Sequence, residues 1–167
     1  MRVIKSYVSA MDKINKILMW LIAILLGVMF LSLLAQVLTR YVVKASLHWT
    51  EEAARFAIIW TVFLGVAVAT RQKALIAVEV VIQYVPLKVK KTLMIITLIF
   101  TGMFMLYLTY LGVNLSMNSA NQGSTALGIP MWVPYASVPV GSFLTFLNTL
   151  VILFELLFKL EKESELI

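Results

Sequence analysis

Residues 92–154 read TLMIITLIFTGMFMLYLTYLGVNLSMNSANQGSTALGIPMWVPYASVPVGSFLTFLNTLVILF, a run of 63 residues without one Asp, Glu, Lys, Arg or His. A soluble domain would have to solvate that surface, whereas a bilayer accepts about 20 apolar residues for each helix that crosses its hydrocarbon core. The polar segment Asn118–Thr125 divides the run into two parts, and each part is long enough for one crossing. The run therefore predicts two membrane-spanning helices joined by a short loop.

The rest of the chain has the same character. Of its 167 residues 62% are hydrophobic, compared with roughly 45–50% in ordinary globular domains. Residues 17–39 carry no charge, and residues 50–70 carry charges only near their start. At about 1.5 Å per residue, a helix of about 21 residues covers about 31 Å, which is enough for a bilayer. We therefore expect an all-α integral membrane protein, a single membrane domain over residues 1–167 with spans at about 17–39, 50–70, 92–117 and 131–154.

Two further segments need an interpretation. Residues 74–85 are apolar, too short to cross a membrane and closed by Pro86, which predicts a short amphipathic helix lying at the membrane surface. The alternative is an extension of the second span. The first span is longer than the roughly 7–15-residue apolar core of a signal peptide, so we expect it to be retained as a membrane anchor.

The basic residues predict the orientation of the chain. Cytoplasmic segments of membrane proteins are enriched in Lys and Arg. The two tails and the connection between the second and third spans hold 11 such residues, and the segments on the other side hold three. Both termini are therefore predicted to be cytoplasmic. Aromatic residues near the predicted span ends fit the membrane–water boundary, namely Trp20, Tyr41, Trp49, Tyr84, Trp132 and Tyr135.

The composition disfavours several kinds of site. The chain has no cysteine and one histidine, His48, which argues against disulfides, thiolate metal sites and multi-histidine metal sites. No catalytic, cofactor or metal site is expected, and no enzyme activity. The net charge of +6 comes from residues that flank apolar spans, which favours topology over nucleic-acid binding. The first, third and fourth spans hold no Asp, Glu, Lys, Arg or His in their interiors, although ion-coupled carriers need ionisable groups near the midplane. The protein is thus expected to work by holding other proteins.

Small residues recur in steps of four along two spans. Such rows allow another helix to approach closely. They either pack the protein's own helices or form a face for a partner, and the spacing alone does not decide between these alternatives. The rows are Ala53, Ala57, Thr61, Gly65 and Ala69 in the second span, and Ser137, Gly141, Thr145 and Thr149 in the fourth.

The second span opens with charged residues. Thr50 suits an N-cap, and Glu51 and Glu52 suit the positive end of the helix dipole. Glu51 and Arg55 are four residues apart and can pair along the helix. One interpretation is a stable helix start. The other is a charged contact with a partner at the membrane boundary, because charges inside a span are costly and often functional.

Two segments carry a family resemblance. His48–Arg55, followed by Trp60 and Gly65, resembles the W-x-E-E-x-A-R signature of DctQ-type proteins, the small membrane subunits of tripartite ATP-independent periplasmic (TRAP) transporters. Gly123–Gly141 is similar to the last loop and fourth span of that family. Its matching positions are Pro130, Trp132, Tyr135, Pro139 and Gly141.

The resemblance implies a system of three proteins in the bacterial inner membrane and periplasm. A periplasmic binding protein captures a small organic acid, such as a C4-dicarboxylate or sialic acid. A large M-type permease carries it inward with sodium. The small subunit, surrounded by membrane lipid, packs beside the permease and helps to dock the binding protein. The residues expected at its partner interface are Trp49, Glu51, Glu52, Arg55, Gly65, Arg71, Pro130, Trp132, Tyr135, Pro139 and Gly141.

Two other classes of protein remain as alternatives. A small multidrug-type carrier acting as an oligomer would be expected to place an acidic residue deep in its first span, and residues 17–39 contain none. A membrane-embedded enzyme would need titratable groups that converge from several spans, and the sequence does not indicate such a set.

Overall fold

The computed structural model of the protein describes residues 2–44, 47–74 and 87–158. Within these residues the chain is helical, and four helical stretches are long and apolar enough to cross a membrane, which confirms the four predicted spans. The predicted surface helix at 74–85 falls almost entirely outside the described residues. The α-helices are α1 (Arg2–Leu38), α2 (His48–Arg71), α3 (Leu87–Asn118), α4 (Trp132–Tyr135) and α5 (Ser137–Phe158), and a π-helical turn (Thr39–Val43) extends α1.

Helix α1 is much longer than a bilayer requires. Its 37 residues correspond to about 55 Å of helix, against about 30 Å for a hydrocarbon core. It begins at Arg2, well before the predicted span start at Ile17, because nothing in residues 2–16 breaks a helix. Its other end closes through Lys44, which adopts a left-handed conformation and donates its backbone N–H to Thr39.

Helix α1 packs on α2 through one continuous stripe. The positions along this stripe are spaced alternately by four and three residues, the heptad spacing of two helices that wrap around each other. At its centre Leu18 is buried against Leu64 and Val68 of α2. The stripe consists of Met11, Asn15, Leu18, Ile22, Leu25, Met29, Ser32 and Gln36. The other faces of α1 are largely exposed and are apolar from Ile17 to Leu38, whereas near its start Tyr7 reaches α5 and donates its hydroxyl to the carbonyl of Leu147 at 3.1 Å.

The long helices form an open row in the order α1, α2, α5, α3. Extensive contacts join α1 to α2, α2 to α5, and α5 to α3, while α3 has no comparable contact with α1 or α2. The two central helices are the more buried ones, and α5 is buried most. We call the end of the row that carries residues 119–131 the loop end. The end where α1 begins and α5 finishes is the terminal end.

Helices α2 and α3 both approach α5 closely. A Cβ atom on Gly141 would lie 2.5 Å from the Cβ atom of Phe63 in α2. A Cβ atom on Gly112 of α3 would lie 2.7 Å from the Cδ atom of Pro139. Glycine at these two positions is what lets the helices meet. Nearer the terminal end, α3 and α5 share an apolar cluster of Met94, Leu98, Ile152 and Leu156.

The helix starts at the loop end differ from the prediction in one detail. Helix α2 begins at His48, and Leu47 is its N-cap without a side-chain hydrogen bond. The prediction that Thr50 caps α2 is therefore wrong. Thr50 lies inside the first turn, where its hydroxyl donates to the carbonyl of Leu47 at 2.7 Å. Pro139 lies in the first turn of α5, where its missing N–H leaves no helical bond unmade.

Candidate partner interface

At the loop end, Glu52 of α2 binds the backbone of the 119–131 loop. One carboxylate oxygen accepts the N–H of Thr125 at 3.1 Å and its hydroxyl at 3.3 Å. The other accepts the N–H groups of Ala126 at 3.1 Å and Leu127 at 2.8 Å. Three successive N–H groups thus converge on one anion, as in the backbone concavities that bind phosphate. Glu52 is therefore occupied within the chain.

The loop has a small framework of its own. Gly123 and Pro130 form an antiparallel bridge, and the N–H of Met131 donates to the carbonyl of Gln122 at 2.8 Å. Closer to the tip, the N–H of Ser124 donates to the carbonyl of Ile129 at 2.9 Å. Gly128 has a φ of +66°, a conformation that suits glycine. The loop is thus a short hairpin with Glu52 bound at its tip.

The other predicted residues at this end are more accessible. Glu51 pairs with Arg55 at 2.9 Å, and both side chains are more than half exposed, so the pair contributes about 1 kcal/mol at most. Trp49 and Trp132 are each 47% exposed. Trp60, in contrast, donates its indole N–H to the carbonyl of Val133 at 3.2 Å and ties α2 to the start of α4. Of the remaining predicted residues here, Pro130 is exposed and Tyr135 is half-buried.

Arg71 lies at the opposite, terminal end and joins three helices. Its guanidinium donates to both carboxylate oxygens of Glu155 in α5, at 2.9 and 3.1 Å. Its Nε atom donates to Asp12 of α1 at 2.7 Å. The side chain of Glu155 is only 9% exposed, so the bidentate contact compensates a largely buried charge. Arg71 therefore has an internal role, and its predicted part in a partner interface stays a prediction.

A buried amide pair lies beside this charged group. Asn15 of α1 and Asn148 of α5 exchange two hydrogen bonds, at 2.8 and 3.0 Å. Asn148 also donates to the carbonyl of Ala67 in α2 at 2.7 Å. Asn15 completes the set by donating to the carbonyl of Met11. The pair thus fixes the register of α1, α2 and α5.

The two rows of small residues have different surroundings. The α5 row is buried, and the hydroxyls of Thr145 and Thr149 donate to carbonyls four residues earlier in their own helix. Gly141 in this row packs against Phe63, so the row builds the contact between α5 and its neighbours. The α2 row is partly open, and a Cβ atom on Gly65 would meet nothing within 4 Å. Within the described residues, Gly65 therefore does not pack against another helix of the chain.

Sequence reasoning missed Asp12, Asn15 and Glu155 as partners of the residues it singled out. A usable signal existed. Asp12 and Glu155 are acids at the predicted cytoplasmic ends of two spans, and Arg71 occupies the same level at the end of a third. An arginine at the end of a membrane span favours a carboxylate partner, and Asp12 and Glu155 lie at the corresponding ends of α1 and α5.

Comparison with known proteins identifies a matching family. A profile of the family described as "Tripartite ATP-independent periplasmic transporters, DctQ component" matches residues 29–159. The chain is 30% identical over 128 residues to the ectoine TRAP transporter small permease protein TeaB of Halomonas elongata. That match covers 74% of this chain and 66% of TeaB.

Two longer proteins also match. The chain is 29% identical over 135 residues to the sialic acid TRAP transporter permease protein SiaT of Haemophilus influenzae. It is 30% identical over 131 residues to the isethionate TRAP transporter permease protein DctMQ of Oleidesulfovibrio alaskensis. These matches cover 78% and 72% of this chain but only 21% and 20% of the two relatives. The chain thus spans just under two thirds of TeaB and about one fifth of the other two proteins.

Proposed function

The chain belongs to the DctQ family of TRAP transporter components, and on that premise we propose that it is the small auxiliary subunit of a sodium-coupled, binding-protein-dependent secondary transporter. It is a multi-pass membrane protein, which in bacteria lies in the inner membrane. Its role is to pack against a large M-type permease and to help dock the periplasmic binding protein. The transported solute is a small organic acid, of the C4-dicarboxylate or sialic acid type.

The observation that carries this proposal is the open row of helices. Within residues 2–44, 47–74 and 87–158, the four long helices form one layer, and a single layer does not surround a path for a solute. Its strong polar contacts, around Arg71, around Asn148 and at Glu52, all tie the layer's own segments together. A layer held together in this way can support another membrane protein that packs against it.

The matches to longer proteins support a large partner. The chain matches about one fifth of each of two TRAP permease proteins, and this supports a large partner that corresponds to the rest of those proteins. The relatives' names mention ectoine, sialic acid and isethionate, which differ in charge and size. A shared small subunit beside such different solutes fits a chain that does not itself bind the solute.

Reconstitution tests the proposal. Liposomes receive this chain, the large permease subunit purified with it, and the binding protein, singly and together, under an inward sodium gradient. We expect uptake of the organic acid only with all three components, and none with this chain alone. Uptake by the chain alone would overturn the proposal in favour of an oligomeric carrier. Undiminished uptake after omission of the chain would also overturn it.

A further inference from the structure

The two adjacent glutamates at the start of α2 have different surroundings. Glu51 faces Arg55 on the exposed surface of its own helix. Glu52 instead reaches to the 119–131 loop, more than 70 positions along the chain, and accepts four hydrogen bonds from three consecutive residues. Hydrogen bonds to a carboxylate are stronger than those between neutral groups. The difference points to a specific task for Glu52.

The contact of Glu52 with the loop tip is separable from the rest of the fold. The base of the hairpin is closed by the bond from Met131 to Gln122, and its middle by the bond from Ser124 to Ile129. Trp60 holds the following turn through Val133. Removing the Glu52 carboxylate would therefore free the tip, residues 125–127, while the hairpin base and the helix row stay in place.

The freed segment would belong to a surface that faces water. The loop carries no charge, yet its exposed residues are polar or small, including Asn121, Gln122, Thr125 and Gly128. The exposed Trp49 and Trp132 lie in the first turns of α2 and α4 at this same end, and tryptophan is enriched where a membrane meets water. Residues beyond such a boundary lie in water, and with both termini cytoplasmic, as predicted, this water is the periplasm, where a soluble partner can reach them.

We propose that Glu52 is a positioning residue, which holds the tip of the 119–131 loop in one conformation and thereby preforms the docking surface for the soluble binding protein of the transporter. This rests on the function proposed above. The carboxylate does not touch the partner. It acts by removing the conformational freedom that the tip would otherwise lose on docking, since ordering a flexible segment during association weakens binding. Freeing three residues is expected to weaken docking by at least about tenfold.

The test compares Glu52→Gln with Glu51→Gln in the reconstituted transporter. Both substitutions remove one negative charge at neighbouring positions, but only the first removes an acceptor of the loop's N–H groups. Uptake is measured against the concentration of binding protein. For Glu52→Gln we expect the half-saturating concentration to rise at least about tenfold, with the maximal rate kept. Glu51 does not contact the loop, and its pair with Arg55 is exposed, so any rise in the half-saturating concentration for Glu51→Gln should stay below about fivefold.

A second measurement follows the loop itself. The chain has no cysteine, so a spin label on Ala126→Cys reports the tip without background. The label should gain mobility in Glu52→Gln and keep it unchanged in Glu51→Gln. Equal immobility in both variants would refute the positioning role of Glu52, even if Glu52→Gln failed to assemble with its partners.

The outcomes separate this inference from the proposed function. An unchanged half-saturating concentration in Glu52→Gln, an equal rise in Glu51→Gln, or a loss of maximal rate alone would each overturn the positioning role while leaving the auxiliary subunit intact. If the wild-type complex shows no uptake that depends on the binding protein, the proposed function fails instead, and the spin-label result still decides whether Glu52 holds the loop.

Discussion

Gly141 offers the sharpest test of the helix arrangement, because Gly65 provides a matched control. Both are glycines within transmembrane helices, and both can be changed to alanine. At Gly141 the new Cβ atom would lie 2.5 Å from the Cβ atom of Phe63 and 2.8 Å from its backbone carbonyl carbon and oxygen. At Gly65 it would meet nothing within 4 Å. The same added methyl group therefore enters a closed contact in one case and open space in the other.

The expected difference in stability follows from these distances. Ordinary carbon–carbon contacts begin near 3.5 Å, so α5 would have to move away from α2 by about 1 Å. The obstacle is backbone, which cannot rotate aside. Overpacking of this kind costs about 1–3 kcal/mol, whereas replacing an unhindered glycine by alanine stabilises a protein by about 0.4–1 kcal/mol. Gly141→Ala should thus be less stable than Gly65→Ala by about 1.5–4 kcal/mol.

Unfolding in mixed micelles measures this difference. The purified variants are titrated with a denaturing detergent in a mild one, and helix content and tryptophan fluorescence report the transition. Gly141→Ala should unfold at a clearly lower fraction of denaturing detergent than the wild type, and Gly65→Ala at the same or a higher fraction. Coincident transitions for the two variants would show that α2 and α5 do not meet at Gly141, and the order of the helix row would have to be revised.

Three further predictions concern the buried polar groups and the orientation. Arg71→Ala should destabilise the protein by about 3 kcal/mol, because it leaves the buried carboxylate of Glu155 uncompensated. The double variant Arg71→Met with Glu155→Leu should recover most of this loss in the same unfolding assay. If it does not, the uncompensated carboxylate is not the cause of the loss. Asn148→Leu should cost about 1–3 kcal/mol by stranding the amide and carbonyl that it now satisfies, and an unchanged transition would refute this. If both termini are cytoplasmic, Ser6→Cys should react with a membrane-impermeant thiol reagent only after the cells are opened, whereas Asn121→Cys should react in intact cells. The reverse pattern would show that the termini are periplasmic.

The sequence predicted the helices well and their arrangement poorly. A run of 63 uncharged residues leaves few alternatives to membrane spans, so the class of the fold follows directly from solvation. The order of the helices in the row does not, because each apolar helix could face lipid on any side. Glycines 112 and 141 select the neighbours through atomic fit, and the period of the pattern does not reveal such fit.

For the charged residues as well, the sequence predicted only the local contacts. Local spacing identified the pair of Glu51 and Arg55, since both lie on one helix. It could not show that Glu52 binds a loop, or that Arg71 meets Asp12 and Glu155, because these contacts join segments 59 or more positions apart. Their partners become visible only when the fold brings the segments together.

The order α1, α2, α5, α3 also has a consequence for how the protein is made. Synthesis delivers the helices in chain order, so α3 enters the membrane before α5, its extensive neighbour among the described helices, exists. During that interval α1 and α2 can already pair through their heptad stripe, while α3 must wait in lipid, and the glycine at 112 has nothing to close against. The last helix then arrives between two waiting surfaces and joins them. Biogenesis of this protein therefore depends on completion of α5, and a ribosome stalled before residue 137 would leave α3 unpaired with the other helices and exposed to membrane quality-control proteases.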